Sequence, residues 1–392
     1  MSDFDAMRPY QDTEVRPVID RLLGDSEFLD SIAKFKLPRF GRYIAPLLRP
    51  IVKGRLKQEL GDVNAVHDVQ AYIESYLKSM LDSTVETLTI SGLEHLDKTR
   101  AHVFVSNHRD IAMDPAFVNW ALYQNDFSTL RIAIGDNLLT KPFASELMRL
   151  NKCFIVNRSA KAPREKLKAA KLLSGYIHHS VANDNENVWI AQREGRAKDG
   201  IDVTNPAIVS MLMLNKGKQR SYQEYLNELE IVPVSISYEY DPCDFAKARE
   251  MVKKDVDGEY QKGQHEDVQS IAKGIVGYKG NVHVAFGHPM GAGLDSNDSI
   301  TELLDSQIRE NYVLHPTNCF AYEMLEQSSP RVTVGSEGKL FSDLQLDNER
   351  EKFKQHIDSC KSKYRETCLK GYANPVYQKL AAPKENEPTS ET

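Results

Sequence analysis

The chain has 392 residues, 41% of them hydrophobic, with 50 Lys and Arg against 56 Asp and Glu for a net charge of −6, enough for one large or two modest folded domains. No window holds the roughly 18 uninterrupted apolar residues that a spanning helix needs, and the acidic balance argues against nucleic acid as the main partner. The start, MSDFDAMRPYQDTEVRP, has acids and no apolar core, unlike a secretory or transit signal, and predicts a cytoplasmic protein.

Between residues 34 and 57, Lys34, Lys36, Arg39, Arg42, Arg49, Lys53, Arg55 and Lys57 give +8 without an acid, which leaves −14 for the rest of the chain. Phe35, Leu37, Phe40, Tyr43, Ile44, Leu47, Leu48, Ile51 and Val52 are interleaved with these bases. That is the composition of an amphipathic segment resting on an anionic bilayer, and it predicts peripheral attachment to the inner face of the membrane. The competing reading is a solvated helical face packed on the domain, because Pro38, Pro46 and Pro50 break any single long helix.

From 62 to 81, Val66, Val69, Ile73, Tyr76, Leu77 and Met80 recur at helical spacing, and the Thr-rich stretch at 84–89 changes the rhythm to that of a strand. Short apolar runs at 103–105, 131–134, 153–156, 188–191, 231–236 and 282–286 alternate with longer helical patterns, as in an α/β domain with buried strands. Asp114-Pro115, Ala162-Pro163 and Asn205-Pro206 mark helix starts, with proline at the first helical position. Beyond His288-Pro289 the chain turns polar and helical, and its last residues lack the apolar content to fold. The expected organisation is a helical N-terminal region at 1–84, an α/β domain at 85–290, a helical extension at 291–380 and a disordered tail at 381–392.

The segment most informative about chemistry runs from Val103 through Ser106, Asn107, His108, Arg109 and Asp110 to Asp114-Pro115. A buried strand here feeds a polar loop with a histidine and two acids, then a helix; in an open α/β sheet this crevice is where ligands sit. A histidine with a carboxylate in reach serves as a general base, because the acid fixes the tautomer and stabilises the imidazolium. His-Arg-Asp also opens the protein-kinase catalytic loop, but that loop needs Asn five residues after the Asp, where Pro115 stands.

A second strand, 188–191, leads into Gln192, Arg193, Glu194, Gly195, Arg196 and Lys198, where bases and a glycine make a cradle for a phosphate. A third, 153–156, ends the same way at Arg158, and a fourth, 231–236, carries Pro233, which predicts an edge or a bulge beside the site. His178, His179, His283 and His288 lack ligand spacing and read as ordinary helix and strand residues, so no metal is expected. Cys153, Cys243, Cys319, Cys360 and Cys368, unpaired in spacing, read as reduced thiols with no nucleophile among them.

In this order and spacing the four segments resemble the glycerolipid acyltransferase family, the glycerol-3-phosphate and 1-acylglycerol-3-phosphate acyltransferases, in a divergent bacterial-type branch. The resemblance spans roughly 85–290. It implies a central mixed sheet flanked by helices, with helical N- and C-terminal extensions. It also implies that His108 deprotonates a glycerol hydroxyl, which attacks an acyl thioester directly, with Asp114 orienting the histidine. Asn107, Arg109, Arg158, Arg193, Glu194, Gly195, Arg196 and Lys198 then hold the acceptor and its phosphate. The co-substrate is acyl-CoA or acyl-ACP, with no further cofactor; the partners are a phosphorylated glycerol or lysophospholipid, an anionic membrane and, for the second donor, acyl carrier protein. The sequence departs from the family pattern in two places. Five residues separate His108 from Asp114 where the pattern has four, which leaves Asp110 as the other candidate partner, and Gln192-Arg193 replaces the usual Phe-Pro. The alternatives are an acyl-thioester hydrolase and an inactive membrane-associated protein on the same fold.

Overall fold

The structure is a computed structural model that describes residues 4–36, 41–139, 141–261, 263 and 266–381. The N-terminal helices are α1 (Asp12–Gly24), α2 (Ser26–Lys36), α3 (Gly41–Glu59) and α4 (Val66–Thr84). Strands and helices then alternate as β1 (Val85–Ser91), β2 (Val103–Ser106), α5 (Met113–Tyr123), β3 (Leu130–Gly135), α6 (Pro142–Leu150), β4 (Cys153–Val156), α7 (Pro163–Ala182) and β5 (Asn187–Ala191). They continue as α8 (Pro206–Met213), α9 (Tyr222–Leu229), β6 (Ile231–Tyr238), α10 (Asp244–Asp257), α11 (Glu266–Val276) and β7 (Gly280–Phe286). The C-terminal part holds α12 (Asn297–Glu310), α13 (Pro316–Glu326), a small hairpin of β8 (Thr333–Val334) and β9 (Lys339–Leu340), α14 (Asp347–Ser359) and α15 (Ser362–Ala381).

Two compact units divide the chain: Met1–Ser79 with Leu130–Tyr176, and Met80–Thr129 with Ile177–Thr392. In the first, α1 buries Val15, Val18, Ile19 and Leu22, a helical stripe, against Phe28 and Leu29 of α2, Val69 of α4 and Leu150 of α6. The parallel pair β3 and β4, with Ile132 opposite Cys153, belongs to this unit.

α3 runs without interruption through Pro46 and Pro50, where a break was expected. Both prolines are exposed, so the carbonyls that lose their helical donors meet water and the loss is small. Leu47 and Ile51 stand 77% and 69% exposed on this helix. Arg49 donates twice to Asp30, at 2.7 Å from both Nε and Nη2, and Arg55 pairs with Glu59, so two of the bases are partly neutralised. Pro38 and Arg39, the side chains of Lys36 and Arg42, and the tail 382–392 lie outside the described residues. Among the described residues no helix is long and apolar enough to cross a membrane.

In the second unit β1 pairs in parallel with β7, β7 antiparallel with β6, and β6 in parallel with β2, which pairs in parallel with β5. The result is the expected mixed sheet. Every residue of β2 and β6 is buried. Contrary to the edge predicted from Pro233, β6 is central. A strand residue presents its N–H and C=O to the same neighbour, and the Pro233 carbonyl accepts from Gly287 N at 2.8 Å. The missing N–H therefore faces the point where the β6–β7 ladder ends, at Val234 opposite Phe286, and costs no ladder bond. The C-terminal helices have their own core, in which Phe320, Phe353, Tyr372 and Val376 are buried.

Candidate active site

β2 delivers the chain into the loop at its C-terminal end, and α5 starts at Met113, two residues before Pro115, the predicted first helical position. Asp114 is therefore inside the first turn and does not cap it. Its carboxylate, with no exposed surface, collects four donors: the His108 ring at 2.8 Å, Arg109 N at 2.7 Å and Asp110 N at 2.9 Å on Oδ2, and Tyr238 OH at 2.7 Å on Oδ1. An ionised carboxylate only accepts, so His108 Nδ1 carries the proton and Nε2 holds its lone pair on the opposite edge of the ring. Among the described residues Nε2 has no hydrogen-bond partner. Trp189 packs edge-on to the ring with centroids 6.2 Å apart, while its indole donates to Ser106 Oγ at 3.1 Å.

The N-cap is Ala112, and Asp110, the other candidate partner, lies two residues before it. Asp110 Oδ1 accepts from Ala112 N at 3.0 Å and Met113 N at 2.9 Å, a turn that takes up the extra residue between His108 and Asp114. Oδ2 is buried without a partner among the described residues, and burial, followed by the charge of Asp114, pushes this carboxyl above the usual range. α11 comes so close that a Cβ on Gly274 would lie 2.2 Å from Asp110 Oδ2. Gly→Ala inside a helix normally stabilises by up to about 1 kcal/mol. Gly274→Ala should instead destabilise by about 1–3 kcal/mol through overpacking, visible as a lower midpoint in thermal melts; a raised midpoint would refute the contact.

Two residues expected to touch substrate are occupied elsewhere. Asn107 accepts from Ile236 N at 2.8 Å and donates to Ile236 O at 3.0 Å and Asp202 Oδ2 at 3.1 Å, so its amide ties the loop to β6. Arg109 is buried and donates to Asp202 Oδ2 at 2.7 Å and Gly200 O at 3.1 Å. Burial disfavours its charge, but Asp202 more than offsets this and the guanidinium stays firmly protonated. A loop arginine reads as exposed until its acid, 93 residues away, is known.

The turn after β5 is bound to the same loop: Ala197 N donates to His108 O at 2.7 Å. Glu194 and Gly195 are exposed, Gly195 at φ +77° with open space around it, and Arg193 is half-buried. Arg196 is buried, with Nη2 3.5 Å from Ser270 Oγ and Nη1 without a partner among the described residues. Lys198 pairs with Glu250 of α10, so its charge is not available as the free cation expected of a phosphate cradle. Arg158 lies just past β4 in the other unit, its stem against Gly135.

Tyr238, Trp189 and Asp202 were not anticipated. The alternation of β6 was the available signal for Tyr238, since it shares a face with Ile236. The five cysteines are all buried with free thiols; burial pushes Cys243 up to about 11 and Cys153 up to about 12, far from a reactive thiolate.

A model of the family described as Acyltransferase matches residues 87–237. The matched segment holds His108, Asp114 and the 193–198 turn. Among solved structures the chain is similar to the 1-acyl-sn-glycerophosphate (LPA) acyltransferase PlsC from Thermotoga maritima, at 14% identity and a TM-score of 0.37, over 75% of this chain and 95% of that one. No curated protein matches the chain.

Proposed function

We propose that the chain is a glycerolipid O-acyltransferase that moves a fatty acyl group from acyl-CoA or acyl-ACP to a hydroxyl of glycerol-3-phosphate or 1-acylglycerol-3-phosphate. The observation that carries the reading is the His108–Asp114 pair at 2.8 Å, with Asp114 saturated by three further donors and Nε2 left for a substrate hydroxyl. Nε2 takes the hydroxyl proton as the oxygen attacks the thioester carbonyl. The tetrahedral intermediate collapses to the ester and expels the thiolate, which takes the proton from the imidazolium. A thioester is already activated, so a positioned base and an aligned nucleophile suffice, with no acyl-enzyme. Arg196 Nη1, buried and unpartnered among the described residues, is the donor we assign to the acceptor phosphate.

The test incubates purified protein with a long-chain acyl thioester and each acceptor in turn, with products read by mass spectrometry. New ester supports the reading. Free fatty acid as the only product would replace it with the hydrolase, and an unchanged thioester would leave the fold without this activity.

We further infer that α3 attaches the chain to an anionic membrane. Leu47 and Ile51 stand one turn apart and exposed, next to Lys53 and the exposed Lys57. Vesicles containing phosphatidylglycerol should co-sediment the protein at low salt and lose it as salt rises, since attraction is screened beyond about 10 Å at 0.1 M. Leu47→Asp with Ile51→Asp should abolish sedimentation; equal binding of that double variant would sink the assignment.

A further inference from the structure

The family match stops at residue 237, yet side chains beyond it reach the catalytic loop. Lys247 of α10 is 3% exposed, and its Nζ donates to the Arg109 carbonyl at 2.7 Å while pairing with Asp241. Arg109 is also the residue whose N–H donates to Asp114 Oδ2, so Lys247 holds the far side of the residue that fixes the dyad. A buried ammonium is costly unless it is paired and hydrogen-bonded, and these two acceptors are its compensation. Burial by itself would push the Asp241 carboxyl up; Lys247 holds it below the usual range.

Lys247 is in turn fixed from the C-terminal helices. Asp241 N donates to Tyr372 OH at 3.1 Å, and that hydroxyl donates to Asp244 Oδ2 at 2.9 Å, which meets His356 Nε2 at 2.5 Å. α15 also meets the turn that holds Arg109. Gly200, at φ +78°, lies so near Gly371 that a Cβ would fall 2.1 Å from the Gly371 carbonyl oxygen, and Asn374 Nδ2 donates to Asp199 O at 2.7 Å.

We propose that Lys247 is a positioning residue for acyl transfer: by gripping the Arg109 carbonyl it keeps the His108–Asp114 loop in register, and α15 sets it in place through Tyr372. The proposal rests on the acyltransferase reading. Lys247 touches no reacting atom, so its removal acts on the chemical step through loop geometry and leaves both binding sites in place.

The experiment compares full-length wild type, Lys247→Met and Tyr372→Phe by steady-state kinetics and by proton NMR of the low-field His108 Nδ1–H, assigned with His108→Gln. Lys247→Met should lower kcat about 10²-fold, the scale of an ångström-level misplacement, with both KM values held within about twofold. Its Nδ1–H resonance should broaden or shift, and Tyr372→Phe should show the same pattern more weakly. A folded Lys247→Met with wild-type kcat, a loss confined to KM, or an unmoved resonance would overturn the proposal. If Lys247→Met does not fold, Tyr372→Phe decides, and a wild-type kcat and resonance there would overturn it equally. A wild-type chain that transfers no acyl group would end the acyltransferase reading, while the resonance would still report whether Lys247 positions the loop.

Discussion

His108→Ala is expected to slow acyl transfer by about 10²–10⁴-fold, the range of a positioned general base, while melting close to wild type. Among the described residues the ring is held by a single hydrogen bond through Nδ1, with Trp189 beside it, so little of the fold depends on it. Asp114→Asn should differ in kind. Four donors converge on that carboxylate, and a carboxamide would turn an N–H toward at least one of them inside a fully buried site. An unsatisfied buried group costs about 1–3 kcal/mol, so this variant should lose activity and stability together. Tyr238→Phe removes the donor on Asp114 Oδ1 and orphans that buried oxygen, which costs stability, but it keeps the three donors on Oδ2 that hold His108 in place, so its effect on activity should be the smallest of the three. Wild-type rates in a folded His108→Ala would show that His108 is not the base.

The dyad was legible because its two members lie within one loop, where strand, polar turn and helix start are all local patterns. The departure from family spacing was visible as well, but not its resolution: Asp110 closes a turn onto the N–H groups of Ala112 and Met113 that takes up the extra residue, leaving Asp114 to face the histidine. What could not be read is whatever depends on long-range pairing. Asn107, Arg109 and Lys198 look like ligand-facing polar residues until Ile236, Asp202 and Glu250 are brought to them. Lys247 lies 138 residues from the carbonyl it holds and carries no local signature.

The strands followed the sequence closely because buried runs of β-branched residues are short and bounded. Their arrangement did not. Pro233 argued for an edge, and only the end of the ladder at Val234 shows why a central strand tolerates it. Likewise α3 survives two prolines because its solvent face supplies the missing hydrogen bonds, a fact of placement that composition cannot express. The +8 of residues 34–57 is weakened in the same way, since Asp30 and Glu59 lie outside that window yet neutralise Arg49 and Arg55.

The second large effect is acid lability of the fold. His102, His283 and His315 are all nearly inaccessible, and burial depresses each to about 4 from an ordinary 6.5. His283 sits between Thr89 Oγ1 at 2.7 Å and Ser91 Oγ at 2.9 Å, and His315 meets Ser237 at 3.1 Å, opposite His283 in the β6–β7 register. Hydroxyls satisfy a neutral imidazole but do not neutralise a charged one, and each of these two rings would have to charge close to the other. In the unfolded chain each histidine binds its proton near pH 6.5, whereas in the folded chain it does so only near pH 4. Between those values the unfolded state holds more protons, so stability is full above pH 6.5 and falls as the pH drops toward 4. A shift of this size is worth about 3 kcal/mol per histidine at the limit, and three together rival the roughly 5–15 kcal/mol that holds a whole domain folded. Urea midpoints measured at pH 7, 6, 5 and 4.5 should therefore fall steeply below pH 6. His283→Gln, which keeps polar contact with Thr89 and Ser91 but cannot titrate, should be less stable at pH 7 and lose less on acidification. A pH dependence identical to wild type in that variant would show that this buried imidazole does not drive the acid transition.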